Sequence, residues 1–217
     1  IDWKPQYRRP NAGRELEPGE GFLGLAKVMG VETRGYVDAS HPVQQEVRLV
    51  MEQLTGDTLS EDVCGTDGCS IPTYATPMQN FARAFAAFGT GAGLEPLRAD
   101  AAQRLYDACI NEPYMVAGAG RFCTKVMEGF RGRVFVKTGA EGVFCGAVPE
   151  LGFGIALKCD DGATRAAEVM MTALLRHIGA ISDADLPKVE RFLTVPLENR
   201  AGVHVGDIRP AAEFLNF

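Results

Sequence analysis

A Lys-Thr-Gly tripeptide at residues 137–139 is the most informative chemical feature of the sequence. It ends a β-rich run and is followed by a glycine-containing turn. At the end of a strand, backbone groups can bind a carbonyl or a carboxylate, and Lys137 adds a compact cation for a negatively charged substrate group. Gly139 lets a substrate approach the strand without a side chain in the way. The competing interpretation is a lysine on an exposed hairpin that has no chemical role.

Two cysteines five residues apart, Cys64 and Cys69, enclose Asp67 in a glycine-rich loop. Thiolates and carboxylates are zinc ligands, so this loop could supply part of a zinc site. The usual spacing of zinc-binding cysteines is shorter, and no second cysteine or histidine pair completes a tetrahedron. The competing interpretation is two small buried side chains on either side of a loop. Both interpretations stay open on the spacing alone.

Arg121 follows the glycine-rich residues 116–120 and stands at the predicted start of a short helix. A guanidinium there could bind a carboxylate or a phosphate, or it could cap a neighbouring group. Because no strand precedes the glycines, the loop lacks the context of a nucleotide-binding fingerprint. Neither Ser-x-x-Lys nor Gly-x-Ser-x-Gly occurs in the sequence, so no activated nucleophile is recognisable.

The secondary-structure elements predicted to position these residues begin with an extended arm, and helices follow it. Residues 1–20 are rich in proline and charge, which predicts an extended arm or loop, and residues 21–217 are predicted to form one domain. Ser40 is the predicted N-cap of the second helix, and the glycine-rich residues 89–93 are predicted to stop the third. The helical patterns cover residues 21–30, 40–56, 77–88, 98–111, 122–129 and 163–178.

Three β-rich runs, at residues 133–137, 142–148 and 153–158, are separated by turn residues and lie between the last two predicted helices. An antiparallel meander is the simplest way to connect them. A further strand is predicted near residues 203–208. Most helices precede the sheet, so the predicted fold class is α+β, an antiparallel sheet flanked by helices.

The composition is that of an ordinary globular protein, with 217 residues, 46% of them hydrophobic and 23% charged. The net charge of −6 argues against nucleic acid as the main partner, because phosphate binding usually needs a basic face. No apolar run approaches the roughly 20 residues that span a bilayer, so no membrane partner is expected. Six scattered cysteines indicate reduced thiols and predict a cytoplasmic location.

Four stretches of the sequence, taken in order, carry a specific pattern. They are TRGYVDASHPVQ (33–44), CGTDGCSIPT (64–73), MVAGAGRFCT (115–124) and VKTGAEGV (136–143). In these stretches the chain resembles the L-asparaginase II family, the rhizobial-type asparaginases with a serine–lysine centre, and the resemblance runs from about Gly21 to the end of the chain. A Lys-Thr-Gly strand end followed by a hairpin and a C-terminal helix is also the arrangement of penicillin-recognising serine enzymes.

The resemblance implies a fold similar to serine β-lactamases and glutaminases, usually as a homodimer, and hydrolysis of L-asparagine to L-aspartate and ammonia. By position, Lys137 matches the lysine near the substrate and the nucleophilic serine, and Asp67 matches the aspartate that holds the substrate's amino group. Cys69 matches a cysteine ligand of the family's zinc ion. Thr138 and Arg121, in two of the matching stretches, are further candidates for substrate binding.

The chain departs from the family pattern at its N-terminal end. The resemblance implies an Arg-Ser-x-x-Lys segment that carries the nucleophile and a Cys-Ser-Gly-Lys-His motif, and residues 17–20 (EPGE) stand in place of the second. We therefore expect an incomplete family fold, with little or no activity in these 217 residues alone. The alternatives are a non-catalytic amino-acid-binding or interaction module and, from Lys137 alone, a β-lactamase-like hydrolase.

Overall fold

The structure, a computed structural model, describes residues 18–215. Short 3₁₀ turns connect several of the elements. The α-helices in this range are α1 (Pro18–Met29), α2 (Pro42–Thr55), α3 (Met78–Thr90), α4 (Pro96–Asn111), α5 (Pro113–Ala117), α6 (Phe122–Phe130), α7 (Thr164–His177), α8 (Leu186–Val189) and α9 (Ala212–Leu215).

The described strands form one three-stranded sheet and two separate hairpins, all antiparallel. The three-stranded sheet has the order β3–β4–β5, and the hairpins are β1–β2 and β6–β7. The strands are β1 (Cys64–Thr66), β2 (Pro72–Tyr74), β3 (Phe135–Thr138), β4 (Val143–Val148), β5 (Phe153–Lys158), β6 (Val195–Glu198) and β7 (His204–Ile208).

Helices cover both faces of the three-stranded sheet. On one face α3 lies so close to β5 that an ideal Cβ on Gly154 would be 1.7 Å from the carbonyl oxygen of Ala82. On the other face α7 packs against β4, where the Met171 side chain lies near Gly146. The main hydrophobic core joins α6, the sheet and α7, with Phe130, Phe144 and Met171 among its buried side chains. The predicted class, α+β with an antiparallel sheet flanked by helices, is confirmed.

The first helix differs from the sequence-based prediction in its start and in its burial. It begins at Pro18, so the predicted arm does not extend to residue 20, and the rest of that arm lies outside the described residues. Ala26 is buried, whereas Val28 is 86% exposed. The helix therefore packs through a narrow face.

The start of one helix was predicted wrongly. The N-cap of α2 is His41, whose Nδ1 accepts the backbone N–H of Val43 at 3.2 Å, because the Ser40 hydroxyl is used upstream on Asp38. The glycine-rich residues 89–93 stop α3 as predicted, with the helix continuing to Thr90 and Gly91 as its C-cap. Gly89 lies against β4, and a Cβ there would be 2.9 Å from that of Ala147. Its role is close packing rather than helix termination.

None of the helices within residues 18–215 is both long and apolar enough to cross a membrane.

Candidate functional site

Lys137 and Thr138 occupy the last two positions of β3, which ends one residue later than the sequence predicted. Both side chains are half-buried. The Lys137 Nζ donates a hydrogen bond to the carbonyl oxygen of Thr138 at 2.9 Å, and the Thr138 hydroxyl donates to the carbonyl oxygen of Gly139 at 3.2 Å. The strand therefore ends in a cation and a hydroxyl that are both folded against the backbone of the turn.

The two side chains point to opposite faces of the sheet, because successive residues of a strand alternate. Lys137 shares its face with Phe135, whose ring stacks on that of Phe85 in α3 at 6.1 Å. Thr138 shares its face with Val136, which lies on the α7 side near Gly146 and Met171. A ligand that contacts both side chains must therefore sit at the end of the strand rather than on one face.

Cys123 lies in the first turn of α6, and residues at the end of β3 and nearby charges act on the pKa of its thiol. Its side chain is 2% exposed. Burial raises the pKa of the thiol to about 11, against the opposing effects of the Thr138 backbone N–H and the charge of Lys137. A thiol with so high a pKa is protonated at neutral pH, so Cys123 is not an activated nucleophile.

Arg121 lies where the sequence placed it, at the N-cap position of α6, and its side chain is exposed. Its charge acts on Cys123 and on Glu168, a half-buried residue of α7. Burial raises the pKa of Glu168, and the Arg121 guanidinium acts against that shift. Cys123 also responds to the charge of Glu168. The surroundings of this thiol therefore include two cations and one carboxylate, supplied by three different elements.

Asp67 and Cys69 form a separate group in the turn between β1 and β2. One oxygen of Asp67, Oδ2, accepts the Cys69 backbone N–H at 3.2 Å and the Cys69 thiol at 2.9 Å. These bonds lower the pKa of Asp67. Burial, followed by the Asp67 carboxylate, raises the pKa of Cys69. Ser70, with φ of 73°, completes the turn by donating its N–H to the Asp67 carbonyl oxygen. Asp67 is thus a charged, exposed carboxylate held by its own loop.

The residues around Cys69 do not by themselves fit a zinc ion. The Cys69 thiol donates to Asp67, which favours its protonated form, whereas zinc binds the thiolate. The Cys64 thiol is directed at the carbonyl oxygen of Gly65. Between residues 18 and 215 no group of three or more His, Cys, Asp or Glu side chains is arranged to hold a metal.

The structure therefore groups the five predicted residues in two places. Lys137, Thr138 and Arg121 all act on the pKa of Cys123, and Asp67 and Cys69 share the β1–β2 turn. Among the described residues, no hydrogen bond or ion pair joins that turn to β3. A cleft shared by Lys137 and Asp67 stays a prediction.

Sequence reasoning missed two members of the site, Cys123 and Glu168. Cys123 lies inside one of the stretches that carry the family resemblance, and this position was a usable signal. Glu168 had no comparable signal, because it occupies a position among the polar residues of an amphipathic helix. Arg121, whose charge acts on the pKa of Glu168, is 47 positions away along the chain, so no local pattern could connect the two residues.

Comparison with known protein families shows to which family the chain belongs. A family model described as L-asparaginase II matches residues 20–210. The chain belongs to the L-asparaginase II family. No curated protein matches the chain significantly. The family match includes all five candidate residues, so both groups described above belong to the family domain.

Proposed function

We propose that this protein is an amidohydrolase of the L-asparaginase type, which hydrolyses the side-chain amide of L-asparagine to L-aspartate and ammonia. The observation that carries the proposal is the match to the L-asparaginase II family over residues 20–210. The family points to an asparaginase-type hydrolase acting on a small molecule. The substrate and the reaction themselves are our proposal for this chain.

The described side chains have the charges that an amino-acid substrate requires. A zwitterion needs cations for its carboxylate and a carboxylate for its ammonium group. In this proposal Lys137 acts at the reacting end of the substrate, and Arg121 and Thr138 bind the carboxylate. Asp67, which remains ionised in its exposed turn, accepts the ammonium group. Hydrogen bonds within the turn hold Asp67 in place before a ligand arrives.

An amidase also needs an activated nucleophile, and the 217 residues contain no Ser-x-x-Lys motif. The buried Cys123 thiol does not supply one, since it is protonated at neutral pH. We therefore propose that it is the natural full-length protein that hydrolyses the substrate. For the 217-residue chain we expect substrate binding with little or no hydrolysis.

The test is ammonia release from L-asparagine by the natural full-length protein and by Lys137→Ala. We expect the variant to lose most of the activity, because the lysine acts next to the reacting group. Lys158→Ala is the matched control, since Lys158 ends β5 on the same face of the sheet. Unchanged turnover in Lys137→Ala would reject the role of Lys137, and no ammonia from the wild-type protein would reject the activity.

The absence of a serine–lysine motif in the sequence favours a second candidate, a non-catalytic amino-acid-binding module. Calorimetry with L-asparagine and L-aspartate, run beside the ammonia assay, separates the two candidates. Binding without turnover in the natural full-length protein supports the module. Binding with turnover supports the amidohydrolase.

Zinc binding at Cys69 and assembly as a homodimer remain proposals from the family resemblance. Zinc at Cys69 needs the thiolate and ligands in addition to those that the described residues bring together. Metal analysis of the purified natural protein and of Cys69→Ser tests this directly. A stoichiometric zinc ion that is lost in Cys69→Ser supports the ligand role. Equal zinc content in both proteins would contradict it.

A further inference from the structure

The helix α7 has a second apolar face besides the one that packs in the main core. The core-facing residues are Ala167, Met171 and Leu175, none of which has exposed surface. A neighbouring row of the same helix, formed by Ala166, Met170 and Leu174, is only partly covered, and Met170 is 41% exposed. Packing on one core needs a single apolar face. The second row is therefore available to a further partner.

This row forms one side of a groove with a cavity volume of about 370 Å³, which we call the α7–α9 groove. The other side is the segment from the end of β7 into α9, with Ile208, Pro210 and Phe214. The Phe214 ring contacts the His177 ring at 5.1 Å, so α9 packs on the last turn of α7. The volume of the groove is at the lower end of the range for small-molecule sites.

Arg209 is the charged residue among those that line the α7–α9 groove, and its side chain is exposed. The carboxylate of Asp207, two residues earlier, pairs with His204 Nε2 at 3.0 Å. Within residues 18–215, no hydrogen bond or ion pair joins Arg209 to another side chain. A guanidinium beside an apolar groove is complementary to a ligand with an apolar body and an anionic end.

We propose that the α7–α9 groove binds a medium-chain carboxylate, with the acyl chain against the apolar row of α7 and the carboxylate on Arg209. The volume suits a chain of about ten carbon atoms. A protein partner fits less well, because a stable protein interface buries about 800 Å² on each side, far more than one small groove offers. None of the five candidate residues of the asparaginase site lines this groove, so the inference is independent of the proposed function.

The test uses calorimetry with hexanoate, octanoate, decanoate and the uncharged decanol, on the 217-residue chain and on the natural full-length protein. Thermal unfolding reports the melting temperature of each variant. The variants are Met170→Glu and Arg209→Gln. Leu105→Glu is the matched control for the first, because Leu105 is a 61% exposed leucine of α4. Arg200→Gln is the control for the second, because Arg200 is an exposed arginine between β6 and β7.

We expect one decanoate to bind per wild-type chain, with affinity rising roughly tenfold for each two-carbon extension from hexanoate. Arg209→Gln should bind decanoate roughly tenfold more weakly and decanol within about twofold of wild type, since only the charged contact is lost. Met170→Glu should bind both ligands weakly, because a carboxylate now lines the apolar wall. Decanoate should raise the melting temperature of the wild type but not that of Met170→Glu. Both controls should behave as the wild type does.

Four results would overturn the proposal. Affinity for decanoate that neither Met170→Glu nor Arg209→Gln lowers would place the ligand elsewhere, and equal wild-type affinity for decanoate and decanol would reject the contact with Arg209. Binding by the 217-residue chain but not by the natural full-length protein would show that another segment of that protein occupies the groove. Self-association in sedimentation experiments that Met170→Glu abolishes would show that a second copy occupies it. The ammonia assay is separate from all four results, so the proposed function stands or fails independently.

Discussion

Asp185 is a buried carboxylate that accepts several side-chain hydrogen bonds, whereas the Glu168 carboxylate accepts none from the described residues. Its Oδ1 accepts Lys188 Nζ at 2.8 Å, and its Oδ2 accepts the Ser182 hydroxyl at 2.7 Å and Arg133 at 3.1 Å. These hydrogen bonds, of which the one from Lys188 has the largest effect, hold the pKa of Asp185 well below its usual range. Asp185 thus connects the turn before α8 to Arg133, which lies two residues before β3. Its charge stabilises the fold.

We predict that Asp185→Asn lowers the melting temperature at pH 7 by several degrees, since two cations lose their shared acceptor. Because the folded pKa is lowered, the wild-type contribution is present above the unfolded pKa, about 4, and is lost as the pH falls below it. The melting temperature of Asp185→Asn should therefore depend less on pH in that acidic range. Asp183→Asn is the control, because Asp183 is an exposed residue of the same turn. Equal melting temperatures for Asp185→Asn and wild type would contradict this account.

The contact between α3 and β5 is the element-scale feature that fixes one face of the sheet. It depends on Gly154, where an ideal Cβ would meet the Ala82 carbonyl oxygen at 1.7 Å and the Ala86 nitrogen at 2.4 Å. Both atoms belong to the backbone of α3, so no rotamer change can relieve the clash. The helix must move away from the sheet to accommodate any side chain at this position.

We predict that Gly154→Ala lowers the free energy of unfolding by about 3 kcal/mol, the upper part of the range for overpacked sites. Gly24→Ala is the control, because Gly24 lies in α1 with no atom within 4 Å of an added Cβ. That variant should be neutral or more stable, by up to about 1 kcal/mol, owing to the higher helix propensity of alanine. Urea unfolding measures both changes. Equal midpoints for Gly154→Ala and wild type would show that α3 does not pack as closely as described.

The regular elements near the site were largely predictable from sequence, because their signals are local. The three-stranded meander is confirmed with ends shifted by at most two residues, and α7 matches its predicted range to within one residue at each end. The hairpin β1–β2 was missed, since three-residue strands leave no clear period. The helix α3 runs two residues past its predicted end at residue 88, where Gly89 packs closely on β4. Local sequence carries no information about such contacts.

The candidate site was predictable residue by residue but not as an assembly. The positions of Lys137 at a strand end and Arg121 at a helix start followed from strand and helix signals and are confirmed. That Arg121 acts on Glu168 depends on how α6 and α7 pack, which no pattern within either helix reveals. The loop that contains Asp67 was predicted, but the hydrogen bond from the Cys69 thiol to the Asp67 carboxylate was not.

At the scale of the whole molecule, the L-asparaginase II domain contains two charged groups that the proposed function assigns to one amino-acid ligand. Lys137 lies at the end of β3, Arg121 lies at the start of α6, and the β1–β2 turn carries the carboxylate of Asp67. The proposed function requires both groups to contact the same ligand. The cytoplasmic location and the homodimer remain predictions that this requirement does not address.

The most direct test of this requirement is the affinity of the 217-residue chain for L-asparagine, measured by calorimetry in wild type, Asp67→Asn, Lys137→Ala and the double variant. We predict saturable binding by the wild-type chain and roughly tenfold weaker binding by each single variant, since each removes one charged contact. Losses that fail to add in the double variant would show that the two residues act on one bound ligand. Wild-type affinity in Asp67→Asn would place Asp67 outside the binding site and contradict the shared cleft on which the asparaginase account depends.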